Sequence, residues 1–232
     1  MDITKLRKVE EFGKKYCEKY LSKYDPEKLA NDWYYALVFF FDHSFMRGRK
    51  DVVSGNFERK ALEVLEKTLK EDLGYHLETL KQKLQQNGVN NRHDRNMIAD
   101  TIDFIKGIPN NNIVSYSADR VRDKKEYDLF QELKKIRSVK NKIASFYIRD
   151  LVSIFGLPVS DYRAAYPVDT WVRQLSIKLG VIDEKEQNLD RIRDKSIEML
   201  LRNNIDPVLF NQGAWFVSYH AYDILIENLD KV

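Results

Sequence analysis

The stretch LKKIRSVKNKIAS, residues 133–145, is the part of this chain that says most about its fold. It joins two predicted helices, 119–135 and 142–155, by a very short turn. Residues 133–149 include six basic side chains and no acidic one. Because a helix N-terminus presents unpaired amides and attracts anions, a basic turn that leads into one predicts a phosphate site. A solvated, lysine-rich turn is the alternative that this stretch alone leaves open.

A second informative segment, YPVDTWVR, covers residues 166–173. Its Asp169 stands 27 residues after Lys142 and directly before a predicted helix. Since Asp is among the preferred N-cap residues, the plain interpretation is a helix cap. A catalytic role is compatible with that interpretation, because a capping carboxylate is held in a fixed direction at the positive end of the helix dipole.

The rest of the chain predicts an all-α fold. Apolar residues recur at spacings of three and four over residues 3–24, and Asp25-Pro26 is a typical helix start. The sequence predicts neither a strand nor a repeat of fixed period. Further helices are predicted at 26–46, 54–70, 75–86, 95–106, 119–135, 142–155, after Asp169, at 189–203 and from Asp206-Pro207, with a loop at 107–117.

The composition narrows the class of protein. Hydrophobic residues make up 43% of the 232 residues and charged residues 32%, which excludes a disordered or collagen-like chain. Cys17 is the only cysteine, so an intrachain disulfide and a four-cysteine zinc or iron–sulfur site are both excluded. The histidines lack ligand spacing, so no metal site is predicted; they are His43, His76, His93 and His220.

The same sequence bears on location and partner. The chain begins MDITK, without the apolar region of a signal peptide, and its longest apolar run, residues 33–41, is too short to span a membrane. We therefore expect an intracellular protein without membrane contact. The net charge of +3 mildly favours a polyanionic partner and does not identify one.

The two segments at this separation resemble the helix–hairpin–helix DNA glycosylases, the superfamily of endonuclease III and of the 8-oxoguanine DNA glycosylases. That family's hairpin reads Gly-Val-Gly-x-Lys-x-Ala, and residues 138–144 here read SVKNKIA. Its aspartate motif reads Val-Asp-Thr/Val-His, and residues 168–171 here read VDTW. Residues 211–215, NQGAW, resemble the terminal helix of family members. The similarity is strong over residues 130–180 and weaker beyond them.

The resemblance implies an all-α, two-lobed helix–hairpin–helix DNA glycosylase fold with a cleft between the lobes. Residues 36–160 would form a helical barrel lobe that ends in the hairpin, and residues 161–232 a C-terminal lobe that carries the aspartate. The N-terminal helix, within residues 1–35, would pack with the C-terminal lobe. Lys142 and Asp169 would then face each other across the cleft.

The resemblance also implies a base-excision repair enzyme, a DNA N-glycosylase with AP-lyase activity. Lys142 would attack C1′ of the damaged nucleotide and form a Schiff base, and Asp169 would stabilise positive charge on the sugar. The partner would be double-stranded DNA with a damaged base, 8-oxoguanine first of all, bound by a monomer without a cofactor. The residues implied in DNA binding are Arg137, Ser138, Val139, Lys140 and Asn141, and the candidates for the base pocket are Trp215 and Phe216.

Three departures from the family pattern refine these expectations. Ser138 and Lys140 stand where the family has its hairpin glycines, which allow tight turns and a close approach to a phosphate. Their presence implies a distorted hairpin, or one that uses side-chain charge in place of bare amides. Trp171 replaces the usual histidine. The cysteines of the endonuclease III cluster are missing, which points to the cluster-free, 8-oxoguanine-type branch.

Three other functions stay open at this point. One is a monofunctional glycosylase for alkylated or deaminated bases, in which Lys142 only contacts a phosphate. Another is a non-catalytic DNA-binding relative, and the third is an unrelated helical interaction domain. Arg47, Arg49 and Lys50 are further candidates for contacts with the DNA backbone, with a solvated turn as the plainer interpretation.

Overall fold

The computed structural model describes residues 2–46, 51–69 and 76–221, and none of these residues lies in a β-strand. The prediction of an all-α fold is therefore confirmed. None of the helices in the described ranges combines the length and the apolar composition that a membrane span requires. The helices are α1 (Ile3–Tyr16), α2 (Pro26–Asn31), α3 (Trp33–Ser44), α4 (Asp51–Leu69), α5 (Leu77–Gln86), α6 (Arg92–Lys106), α7 (Ile113–Arg122), α8 (Glu126–Leu133), α9 (Asn141–Phe155), α10 (Thr170–Lys178), α11 (Leu189–Arg202) and α12 (Pro207–Tyr219).

Side-chain caps explain several of these boundaries. Asp25 caps α2 through two backbone amides, with Pro26 in the first turn, as the sequence predicts. The prediction of one continuous helix over residues 26–46 is wrong. Asp32 has an extended backbone, and its carboxylate accepts hydrogen bonds from two amides of the following turn. Because a residue in this conformation cannot continue a helix, α2 ends there and α3 begins.

A second difference from the predicted helices concerns residues 107–135. The predicted loop at 107–117 ends early, because the Asn112 side chain accepts hydrogen bonds from two amides and starts α7. The predicted helix over 119–135 is two helices, α7 and α8, separated at Lys124, whose φ is +58°. Both differences arise from short polar or charged residues that a count of apolar spacings does not register.

The chain divides into two compact units. One consists of residues 24–159 and includes α2 to α9; the other consists of residues 1–23 and 160–232 and includes α1 and α10 to α12. In the first unit, Tyr147 of α9 lies fully buried against Phe39 and Phe40 of α3, with ring centroids 5.6 and 5.1 Å apart. These aromatic contacts fix α9, the helix that carries Lys142, against the core of its unit.

Helix α9 also buries two charged neighbours, Arg149 and Asp150, each 1% exposed. Nε of Arg149 donates to Oδ1 of Asp150 at 2.8 Å, and Nε2 of His43 lies 3.1 Å from Oδ2. Burial raises the pKa of Asp150, but the charge of Arg149 and the hydrogen bond to His43 lower it more, so that it lies below its ordinary value. The carboxylate thus ties α3 to α9. Arg149 is one of the six basic residues of the stretch 133–149, but its side chain is buried and is not available to a ligand.

In the second unit, α1 and α12 pack with their backbones in close contact. A Cβ atom on Gly213 would collide with the carbonyl oxygen of Val9, and one on Gly13 would collide with that of Leu209. The two glycines therefore set the separation of the helices, because any side chain would force them apart. The core beside this contact includes Leu6, Ile192, Leu200, Phe210 and Ala214.

Candidate functional site

The turn between α8 and α9 is anchored by two apolar residues. Ile136 and Val139 are buried, and the amide of Val139 donates to the carbonyl of Ile136 at 3.0 Å, which closes a four-residue turn. Ser138, the third residue of the turn, has a φ of +69°. Glycine adopts that conformation readily, and other residues rarely do. Ser138 therefore occupies a position where the backbone geometry favours glycine. Val139, which the family resemblance implies in DNA binding, is buried as a whole residue, and its amide is already bonded within the turn.

Arg137, the second residue of this turn, is bound to Asp100 of α6. Its Nε and Nη2 lie 2.6 Å from the two oxygens of that carboxylate, and its backbone amide donates to Oδ2 at 3.1 Å. Burial raises the pKa of Asp100, whereas the hydrogen bonds and charge of Arg137 lower it more, and the net shift is downward. The guanidinium implied in DNA binding is therefore already paired. The partners are 37 residues apart, so no local pattern in the sequence indicates the pair.

Three exposed lysines, Lys135, Lys140 and Lys142, form what we call the basic surface. No acidic side chain in the described part of the chain pairs with any of them. Lys140 has an extended backbone, and its carbonyl accepts the first helical hydrogen bond of α9, from Ala144 at 3.0 Å. No described side chain caps this helix. The amides at its exposed start, where Asn141 is the first residue, therefore suit an anion such as a phosphate oxygen.

Asp169 caps α10, as the sequence predicts. Its Oδ1 accepts a hydrogen bond from the amide of Val172 at 2.9 Å, and its backbone carbonyl accepts one from Arg173 at 3.0 Å. The residue is half-buried, and its second carboxylate oxygen has no hydrogen-bond partner in residues 2–46, 51–69 and 76–221. The cap thus fixes the direction of the carboxylate and leaves one oxygen for a ligand.

The segment that leads to Asp169 is held from α12. The buried Asn211 donates through Nδ2 to the carbonyl oxygen of Pro167 at 2.8 Å. Tyr166 is also buried, which raises the pKa of its hydroxyl, and that hydroxyl lies near Ser196, Asn211 and Ser176. Asn211 lies in the family-like segment NQGAW, yet nothing in the sequence pattern indicates that it holds this carbonyl.

The aromatic candidates have different surroundings. Phe216 is 8% exposed and stacks on Phe12, with centroids 6.0 Å apart, so it is part of the packing of α1 and α12. Trp215 is half-buried and stacks on Tyr219 at 4.8 Å. Trp171, in the first turn of α10, is 44% exposed. Of the two pocket candidates, Trp215 is the more exposed, and its ring also contacts Tyr16 and Tyr20 edge to face.

Lys142 belongs to the unit of residues 24–159 and Asp169 to the other unit, and their meeting across a cleft stays a prediction. Arg47, Arg49 and Lys50 lie outside the described residues. Within those residues, no group of three His, Cys, Asp or Glu side chains is placed to hold a metal ion. Comparison of the chain with protein-family models, curated proteins and solved structures finds no match. The family resemblance therefore rests on the motif residues themselves.

Proposed function

We propose that this protein is a DNA glycosylase with AP-lyase activity that removes an oxidised base, 8-oxoguanine first of all, from double-stranded DNA. The observation that carries the proposal is the combination of Lys142 and Asp169. An exposed amine stands in the first turn of an uncapped helix, directly after a basic turn, and a carboxylate with one unbonded oxygen caps the start of α10. The motif similarity of residues 138–144 and 168–171 supports it.

DNA binding follows from the charge of the turn. Lys135 and Lys140 neutralise phosphates and release counterions, and the amides at the start of α9 donate hydrogen bonds to one phosphate oxygen. These contacts read no sequence, because they involve only the backbone of the duplex. A glycosylase needs such a footprint, since the damaged base must be presented to the enzyme from any surrounding sequence.

The chemistry requires a nucleophile and an anion. The Lys142 nitrogen bonds to C1′ as the glycosidic bond breaks, and the base leaves with the bonding electrons and a proton. Positive charge develops on the sugar, which the Asp169 carboxylate stabilises. The sugar ring then opens to a Schiff base, and loss of a C2′ proton expels the 3′ phosphate. Water then hydrolyses the bond between C1′ and the Lys142 nitrogen, which frees the amine and leaves an unsaturated aldehyde on the cut strand. The products are a free base and a cut strand.

A monofunctional glycosylase is the second candidate, and the exposure of Lys142 favours it. An exposed ammonium group contacts phosphates well, and such a contact needs no neutral amine. In that case Asp169 would still stabilise the sugar, with water as the nucleophile. The two candidates share a site and differ in whether the strand is cut.

A duplex with a single 8-oxoguanine opposite cytosine separates these candidates. After incubation with the protein, the labelled strand is analysed with and without hot alkali, and an undamaged duplex is the control. We expect cleavage of the damaged strand without alkali. Cleavage only after alkali would support the monofunctional enzyme. Binding without any base release would leave a non-catalytic DNA-binding protein, and the absence of both would contradict the proposal altogether.

A further inference from the structure

The turn between α8 and α9 has a left-handed backbone conformation at Ser138, a position where glycine would be favoured. Ser138 has a φ of +69°, in the left-handed region where a Cβ atom is unfavourable. A turn of this kind needs support from its surroundings to remain populated. Within the turn, the buried Ile136 and Val139 supply part of that support. The amide of Ile136 donates to the carbonyl of Leu133 in α8, and a side chain of α6 supplies further hydrogen bonds to the turn.

We propose that Asp100 is a positioning residue that holds this turn in its DNA-binding conformation. Its carboxylate accepts hydrogen bonds from the Arg137 backbone amide and from Nε and Nη2 along one edge of the guanidinium, at 2.6–3.1 Å. A bond to the backbone amide fixes the main chain next to Ser138, which a simple side-chain ion pair would not do. The hydrogen bonds from Asp100 therefore stabilise a backbone conformation that a glycine would adopt without such support. The inference rests on the proposed function, because it concerns how DNA is bound.

Asp100 could instead compete with DNA for Arg137, and that role predicts the opposite change in affinity. A carboxylate beside a polyanion normally weakens binding, and Asp100 also occupies the guanidinium that a phosphate would otherwise bind. If competition were its only role, its removal would tighten DNA binding. If it positions the turn, its removal weakens binding, even though the protein becomes more positive. The sign of the change therefore decides between the two.

The test is the affinity of Asp100→Ala for a fluorescein-labelled, undamaged 20-base-pair duplex at low salt, together with amide hydrogen exchange over residues 134–142. We expect binding about tenfold weaker than that of the wild type, the loss that charge-assisted hydrogen bonds typically represent. We also expect faster exchange over the turn. Asp103→Ala is the matched control, because it removes the same charge from an exposed residue of the same helix. Its binding should be unchanged or slightly tighter.

A rescue variant separates positioning from general damage to the fold. Adding Ser138→Gly to Asp100→Ala removes the cost of the left-handed residue, so it should restore most of the affinity and slow the exchange. Equal or tighter binding by Asp100→Ala, or unchanged exchange over the turn, overturns the inference. If Asp100→Ala does not fold, Asp100→Asn, which keeps one acceptor oxygen, should show a smaller weakening, and tighter binding would again overturn it. A wild-type protein that does not bind DNA would refute the proposed function, and the exchange result would still decide the role of Asp100.

Discussion

Replacing Asp169 by Asn is expected to lower the rate of base release by roughly 10²–10³-fold, the usual effect of removing one electrostatic stabiliser of a transition state. The stability of the protein should hardly change, because Asn caps helices about as well as Asp. The chain itself uses Asn as a cap at Asn91, Asn112 and Asn188. The check is single-turnover base release from the 8-oxoguanine duplex, with thermal unfolding of the same samples.

Asp206→Asn provides the control for this experiment. Asp206 caps α12 through the amides of Val208 and Leu209, so the change has the same chemistry at a helix start that we assign no catalytic role. It should leave both rate and stability unchanged. If Asp169→Asn releases the base as fast as the wild type, Asp169 is only a cap and the proposed electrostatic role is refuted.

Replacing Asp150 by Ala should lower the free energy of unfolding by about 3–5 kcal/mol, the typical cost of removing one partner from a buried ion pair. The change takes away the carboxylate that lies between Arg149 and His43, both of which are buried. For a domain whose total stability is about 5–15 kcal/mol, that loss should leave a large unfolded fraction at moderate temperature. Urea unfolding of the two proteins measures it.

The pH dependence of stability gives an independent check on Asp150. Because its pKa is lowered in the folded protein, the unfolded state takes up its proton first on acidification. The stabilisation from Asp150 is complete above the unfolded-state pKa of about 3.9 and is lost as the pH falls below it. Asp side chains in unfolded chains titrate between about pH 5 and pH 3. Over that range, the stability of the Asp150→Ala variant should therefore fall less than that of the wild type. If Asp150→Ala lowers the free energy of unfolding at neutral pH by no more than about 0.5 kcal/mol, the usual effect of a surface substitution, the buried cluster does not depend on this carboxylate.

The helix ends that the sequence predicts correctly are those that carry a local signal. Asp25-Pro26 and Asp206-Pro207 start helices, and Gly156 ends α9 with a φ of +59°. The sequence pattern does not predict the helix starts at Asp32 and Asn112, because the surrounding residues dominate it. Asp32 lies beside a run of aromatic residues, and Asn112 lies in a stretch with the composition of a loop. In both, a single side chain bonded to two amides outweighs the apolar pattern.

In the candidate site, contacts between residues that are distant in the sequence could not be predicted either. The cap at Asp169 could be predicted from the sequence because it depends on immediate neighbours, and the glycine position of Ser138 is implied by the resemblance to the family's hairpin. The pairing of Arg137 with Asp100 and the hydrogen bond from Asn211 to Pro167 could not, since 37 and 44 residues separate the partners. Arg149 counts as part of a basic stretch in the sequence, and its burial could not be predicted because it depends on how α9 packs.

Covalent trapping is the most direct test of the proposed lysine chemistry. The protein is incubated with the 8-oxoguanine duplex in the presence of borohydride, which reduces a Schiff base to a stable bond, and the attached residue is identified by mass spectrometry. We expect a crosslink at Lys142 in the wild type and in Lys134→Gln, a control in the same segment, and none in Lys142→Gln, although that variant should still bind the duplex. A crosslink that persists in Lys142→Gln, or a wild-type protein that releases the base without ever being trapped, would contradict the assignment of Lys142 as the nucleophile.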